Sequence, residues 1–178
     1  MQARALLMIE HRLIERMIGI IKRMLSQIEK EEKVDPVFVD TTVDFIRTYA
    51  DRTHHGKEED ILFRDLKKRE LFEEDKRLMN DLIEEHVQGR KTTKKLIDAN
   101  NRYRNGDKSA LAEIASHLSS LADFYPKHIE KEDKAFFPAV RRYFSEQEDQ
   151  GMLDEFWEFD RKMIHEKYIS VVEAFEKQ

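Results

Sequence analysis

His54-His55-Gly56-Lys57-Glu58-Glu59-Asp60-Ile61-Leu62-Phe63 and His128-Ile129-Glu130-Lys131-Glu132-Asp133-Lys134-Ala135-Phe136-Phe137 are two copies of one pattern, H-x-x-K-E-[ED]-x-x-[LF]-F. Each copy is preceded by a Glu-His pair: His11 of Glu10-His11 lies 43 residues before His54, and His86 of Glu85-His86 lies 42 residues before His128. The chain therefore reads as two copies of a helix pair. A histidine and a glutamate four residues apart share one face of an α-helix and are offset by ~6 Å along its axis. That spacing lets an imidazole serve one metal ion while the carboxylate reaches a neighbour or bridges two.

Working outward, the apolar residues keep the same helical period. Leu7, His11, Ile14, Ile18, Ile21, Leu25 and Ile28 form one stripe of a first helix ending near Lys33. Asp35-Pro36 is an N-cap with proline at the first helical position. It opens a second helix with Val39, Val43, Ile46, Ala50, His54, Glu58 and Ile61 on one face, fraying near Lys68 to Leu71. A third helix starts near Glu73 or Glu74, aligns Leu78, Leu82, His86, Gly89, Thr93, Leu96 and Asn100, and stops at the left-handed cap expected of Asn105-Gly106. Asp107 caps a fourth helix, kinked at Pro126, that turns Leu111, Ile114, Leu121, His128, Glu132, Ala135 and Ala139 inward and runs to about Tyr143. Ser145-Glu146-Gln147-Glu148 has the form of a capping box. It introduces a fifth helix carrying Phe156, Phe159, Met163, Ile164, Tyr168, Val171 and Phe175. Short connections predict an all-α fold: an up-down-up-down antiparallel four-helix bundle over residues 1–144, with a C-terminal helical extension, 145–178, packed on it as part of a single domain.

Composition agrees with long helices and narrows the chemistry. Among 178 residues there are five glycines and three prolines, so few positions interrupt a helix. Cysteine is absent, which excludes disulfide frameworks, thiolate zinc sites, iron-sulfur clusters and cysteine nucleophiles. Any metal must bind through His, Asp or Glu. The net charge of -5 is interspersed along the chain, without the basic stripe that nucleic acid requires. The longest apolar run, Ala5 to Ile9, is far below the ~20 residues of a membrane span. The expectation is a cytoplasmic protein that engages neither nucleic acid nor membrane.

Six polar residues fall on the stripes assigned to the interior: His11, His54, Glu58, His86, His128 and Glu132. In an antiparallel bundle their levels coincide, early in helices one and three and late in helices two and four. Two carboxylates in an apolar core are costly unless a cation meets them, and no Arg or Lys shares that level of the stripe. Metal binding follows. The stripe, and a second copy with histidine only at its first position, favour His54 with Glu58 over His55 with Glu59. Nitrogen and oxygen donors of this kind suit Fe, Mn or Zn.

These residues resemble the hemerythrin-like family, the HHE cation-binding domain, over roughly Met1 to Tyr143. The resemblance implies a four-helix bundle holding two Fe ions in a non-haem di-iron centre, oxo- or hydroxo-bridged. His11, His54, His86 and His128 are then ligands, and Glu58 and Glu132 the bridging carboxylates. The oxygen-carrying members place a second histidine four residues after the first in helix three, and here that position is Arg90. With four histidines a coordination position opens to solvent beside Gly89. The expectation is binding or sensing of oxygen, nitric oxide or peroxide, with oxidation in air that does not reverse. The alternatives are a di-iron oxidoreductase acting on peroxide or oxygen, an iron store or donor, or a purely structural metal bundle. A sensor also needs a protein partner. His117 is ~16 Å along the axis from His128, too far to share its centre. His165, Tyr125 and Tyr168 read as boundary or surface residues that could approach the site.

Overall fold

The computed structural model describes the backbone of residues 2–176 and the side chains of residues 3–169 and of Val172. The described residues are helical throughout, without strands, and form five long helical segments. They are α1 (Gln2–Glu31), α2 (36–66), α3 (Glu73–Arg104), α4 (110–140, followed by the tight turn Arg141–Tyr143) and α5 (Glu146–Glu176). Their ends are set by the residues that the sequence offers for the purpose. The Asp35 carboxylate accepts from Val37 N at 2.9 Å, with Pro36 at the first helical position, a cap worth ~1 kcal/mol. Gly106 after α3 has φ 98°, a left-handed conformation that glycine adopts without the clash of a Cβ. Ser145 and Glu148 form the reciprocal capping box: Ser145 N donates to Glu148 Oε2 at 2.8 Å and Glu148 N to Ser145 Oγ at 3.3 Å.

Two helices depart from the plain α-period. In α2 the stretches Ile46–His55 and Glu58–Phe63 wind as π-helix, and in α4 so does Glu132–Phe136. A π turn holds more residues, so the phase of everything after it shifts. This corrects the inward assignment of Ala135 and Ala139: Ala135 is exposed and Ala139 half-buried, while Phe136, Phe137 and Val140 fill the interior. On α3, Met79 is buried where Leu78 is only partly so. On α5 the inner face is Met152, Leu153, Phe156 and Met163, with Ile164 and Tyr168 facing solvent instead. The side chains of Val171 and Phe175 lie outside the described residues.

Two apolar clusters make the core. One gathers Ile14, Ile18, Ile21, Val39, Val43, Leu96, Ile114 and Leu121; the other gathers Leu7, Ile61, Phe63, Leu66, Leu82, Phe136, Phe137 and Phe156. Full burial of each such side chain contributes about 1.5–3 kcal/mol. The four helices α1 to α4 cross from one cluster to the other, and the polar residues of the repeated motif sit at the crossing. Among the described residues, α5 contributes buried side chains to the second cluster. No helix among the described residues is long and apolar enough to cross a membrane.

Candidate metal centre

The six residues named from the stripe meet in one buried cluster, and a seventh, His55, joins them. His11, His54, Glu58 and Glu132 each offer a ligand atom within 4.8 Å of the others, and His55, His86 and His128 form a second group of the same tightness. Both carboxylates lie between the groups. Glu132 Oε2 is 3.2 Å from His11 Nε2, whereas its Oε1 is 3.1 Å from His128 Nε2 and 3.8 Å from His86 Nε2. Glu58 Oε1 is 3.8 Å from His54 Nε2 and its Oε2 is 3.4 Å from His86 Nε2. Each carboxylate thus turns one oxygen to each group of histidines.

These groups lack the partners that buried polar atoms require. Both oxygens of Glu58 and of Glu132, Nε2 of His86 and His128, and both ring nitrogens of His55 are buried without a hydrogen bond of acceptable geometry. Leaving one such group unsatisfied costs ~1–3 kcal/mol, and charged groups more. Nε2 of His11 faces Nε2 of His54 at 2.9 Å. Two nitrogens bound at right angles to one ion at about 2.1 Å would stand roughly 3 Å apart. A cluster of seven donors converging on two points fits a pair of cations.

The opposite ring nitrogens are held from outside, and here the motif's remaining residues find their use. His54 Nδ1 meets Glu10 Oε2 at 2.9 Å, and His128 Nδ1 meets Glu85 Oε2 at 2.8 Å. The second oxygen of each glutamate accepts from the lysine three residues after that histidine, Lys57 for Glu10 and Lys131 for Glu85. The acid following Glu58 and the acid following Glu132 complete the pattern: Glu59 Oε1 accepts from His86 Nδ1 at 2.6 Å and Asp133 Oδ1 from His11 Nδ1 at 2.7 Å. Such partners fix the tautomer and raise the donor strength of a metal-binding imidazole.

His55 is the residue that sequence reasoning missed. Adjacent side chains on an α-helix diverge by about 100°, so the α-period admits His54 or His55 but not both. The π winding that ends at His55 narrows that divergence, and both rings reach the cluster. His55 stacks on His86 with ring centroids 3.8 Å apart. The doublet itself was the available signal. Arg90, where the oxygen carriers have histidine, points outward: its guanidinium donates to Asp51 Oδ1 at 2.8 Å and Glu59 Oε1 at 2.6 Å. Gly89 lines a cleft of about 390 Å³ with His55, His86 and Tyr125. Phe124 closes on that glycine, its Cε1 3.4 Å from where a Cβ would stand. Tyr125 is buried near His55, His117 is half-buried, and His165 and Tyr168 are exposed.

Electrostatics separates the histidines. Burial would lower His11, but the carboxylates of Asp133 and Glu132 outweigh it and hold the ring at about 10. His86 is held at about 11 against burial by Glu132, Glu58 and Glu59, and His128 is raised against burial by Glu132 and Glu85. His55 moves the other way, far below its ordinary value, through burial and the charges of His86 and His128. Burial pushes Glu132 up, but His128, His11 and His86 override it and keep its carboxyl well below the usual range. Without metal, protons on His11 and His86 offset the charge of Glu132 while His55 stays in its ligand form.

A helical protein with a buried histidine and carboxylate cluster of this kind belongs to the metal-binding class. Residues 2–140 match the model of the hemerythrin HHE cation-binding domain, and the chain belongs to that family. Among curated relatives it is similar to two uncharacterized proteins, Rv1995 of Mycobacterium tuberculosis and Mb2018 of Mycobacterium bovis. Each is 22% identical over 160 residues, covering 90% of this chain and 62% of the relative. The chain thus spans less than two thirds of the relatives' length. No solved structure matches it.

Proposed function

We propose that the protein holds two iron ions in a non-haem di-iron centre and binds or senses a small ligand there: oxygen, nitric oxide or peroxide. One observation carries the reading, namely that Glu58 and Glu132 each turn one oxygen to each of two histidine groups. His11 and His54 would serve one ion, and His55, His86 and His128 the other. Iron supplies one-electron redox capacity and affinity for small ligands. The protein supplies fixed imidazoles, two anionic bridges and apolar walls that exclude water. With two nitrogens against three, the two-histidine ion has fewer protein donors, and we assign the exchangeable position to it. This moves the opening away from Arg90 and Gly89. Manganese and zinc fit the same donors.

The fold reading that accompanies this is an up-down-up-down bundle of α1 to α4 with α5 added, residues 1–144 and 145–178 of one domain. The packing of α1 on α4, α2 on α3 and α3 on α4 supports it. The cysteine-free composition suits a reducing cytoplasm. We propose no nucleic-acid or membrane partner, and a protein partner if the output is a signal. The cleft beside His55 and His86, rimmed by Arg47, Arg90 and Lys94, favours a second reading, an oxidoreductase acting on peroxide or oxygen. Metal analysis should give two ions per chain. An optical titration of the reduced protein with nitric oxide and oxygen, followed by a peroxide turnover assay, separates binding from catalysis. Fewer than two ions per chain would sink the dinuclear reading.

A further inference from the structure

The buried lysine of the first copy reaches further than its counterpart. Lys57 has no exposed surface, and its ammonium donates to Glu10 and, at 2.7 Å, to Asp160 Oδ1 on α5. The same ammonium lies 5.9 Å from the centre of the Phe156 ring. Glu10 in turn holds His54. One residue before Lys57, the backbone of Gly56 touches α5: a Cβ there would stand 2.8 Å from Phe159 Cζ. Gly56 has φ -59°, ordinary helical backbone, so it is the close approach of Phe159 that leaves no space for a side chain. In the second copy Lys131 is 31% exposed and meets Glu85 alone.

We infer that α5 is part of the two-histidine half of the centre: Asp160 and Phe159 position Lys57, and through it Glu10 and His54, so that the ion on His11 and His54 is held only while α5 is docked. The inference rests on the dinuclear reading. Its physics is local. A buried ammonium needs anions around it, and Glu10 alone would be neutralised by Lys57 and would polarise His54 less. Asp160 adds a second negative charge to the lysine, leaving Glu10 its pull on the imidazole. The packing of α5 keeps water from Lys57. If α5 lifts, the lysine gains a path to solvent and Glu10 loses its clamp. The three-histidine ion depends on Glu85 and Lys131, which among the described residues pair with His128 and with each other and not with α5. Docking and occupancy are linked in both directions, so an ion at His11 and His54 tightens α5 as much as α5 tightens the ion.

The test uses the full chain reconstituted with Co(II), its release to excess EDTA followed by absorbance. Wild type should release two ions in two phases, and the phase missing from His54→Ala identifies the two-histidine ion. Asp160→Asn, which removes charge, and Gly56→Ala, which displaces Phe159, should each speed that phase about 10-fold or more while leaving the other within a factor of two. Lys131→Met should speed the other phase alone. Hydrogen exchange of α5 should slow when the second ion binds, and less so in Asp160→Asn; if Gly56→Ala does not fold, these two measurements carry the test. Equal acceleration of both phases, or none, overturns the inference while two bound ions leave the dinuclear reading intact. Fewer than two ions in wild type overturns both.

Discussion

The α1–α2 half and the α3–α4 half are built from the same motif and hold their ligands in the same way, yet they treat the centre differently. The shared parts are of two kinds, contacts kept within a helix pair and contacts lent to the other pair. Glu10 and Glu85 orient His54 and His128 under Lys57 and Lys131, and Glu59 and Asp133 reach across to His86 and His11. The differences lie at two positions. His55 of the first copy is Ile129 in the second, so the first copy adds a ring to the group of His86 and His128. Lys57 is sealed by α5 whereas Lys131 reaches solvent. A duplicated frame thus places the two carboxylates alike, and departures from duplication would make the two proposed ions unequal.

The comparison fails most completely if the bridges go. Glu132→Ala removes oxygens aimed at both groups and should abolish one equivalent of metal outright and weaken the other more than 100-fold, beyond the effect of outer partners. Elemental analysis after gel filtration reads this directly, and unchanged stoichiometry refutes the bridging role. Removing the asymmetry is the next largest step. His55→Ile copies the second half into the first and should cut affinity at the three-histidine ion by at least 10–100-fold. The first ion's affinity should hold in a competitive metal titration. Parallel loss of both ions would show that the halves are not separable.

Acid and base should then divide the metal-free from the loaded protein. His11 and His86, raised from 6.5 to about 10 and 11, stabilise the metal-free fold fully below about 6.5, and that contribution is lost as pH rises through those values. Glu132, depressed from 4.5, contributes above that value and loses its contribution as pH falls toward its folded pKa. His55, depressed from 6.5, loses stability as pH falls below that value, where the contributions of His11 and His86 are constant. The metal-free Tm should therefore peak near pH 6.5 and fall toward pH 10. Metal needs neutral imidazoles, so the increment in Tm on loading should grow over the same range. Calorimetry of both forms at pH 6.5, 8 and 9.5 checks the two slopes; a metal-free Tm that rises with pH over this range contradicts the protonated cluster.

The smallest effect is expected at Arg90. Its ion pairs with Asp51 and Glu59 are partly exposed. Arg90→Ala should therefore cost ~0–1 kcal/mol in a denaturant titration and leave two ions bound. Arg90→His should leave oxidation by air as irreversible as in wild type, because the side chain at this position points outward. Reversible oxygen uptake by that variant would mean that the third helix, and not the second, supplies the missing nitrogen.

What the sequence made legible was whatever depends on the α-period alone. The stripes of α1 and α3, the caps at Asp35, Gly106 and Ser145, and the coincidence of His11, His54, Glu58, His86, His128 and Glu132 all follow from spacing. Two kinds of feature escaped it. His55, Ala135 and Ala139 were misjudged because π turns alter the phase, and nothing in residue composition marks where an i→i+5 bond replaces i→i+4. Lys57, Glu10 and Asp160 were invisible for another reason: each acts across helices, and a charged residue reads as solvated until its partners from distant segments are known. The inward turn of Met152, Leu153 and Phe156 in place of Ile164 and Tyr168 belongs to this second kind.

The separation of the core into two apolar clusters has a mechanical consequence. A polar layer of seven ligand residues interrupts the hydrophobic contact that makes small domains melt as one body. Charged rings and carboxylates hold that layer together when protons fill it, but weakly and with pH. A pair of divalent ions would rivet all four helices at mid-height and couple the two ends. Unfolding cooperativity should then be a property conferred by the metal: the loaded chain is expected to melt in one transition, and the metal-free chain, whose Tm is that of the first end to melt, in two steps.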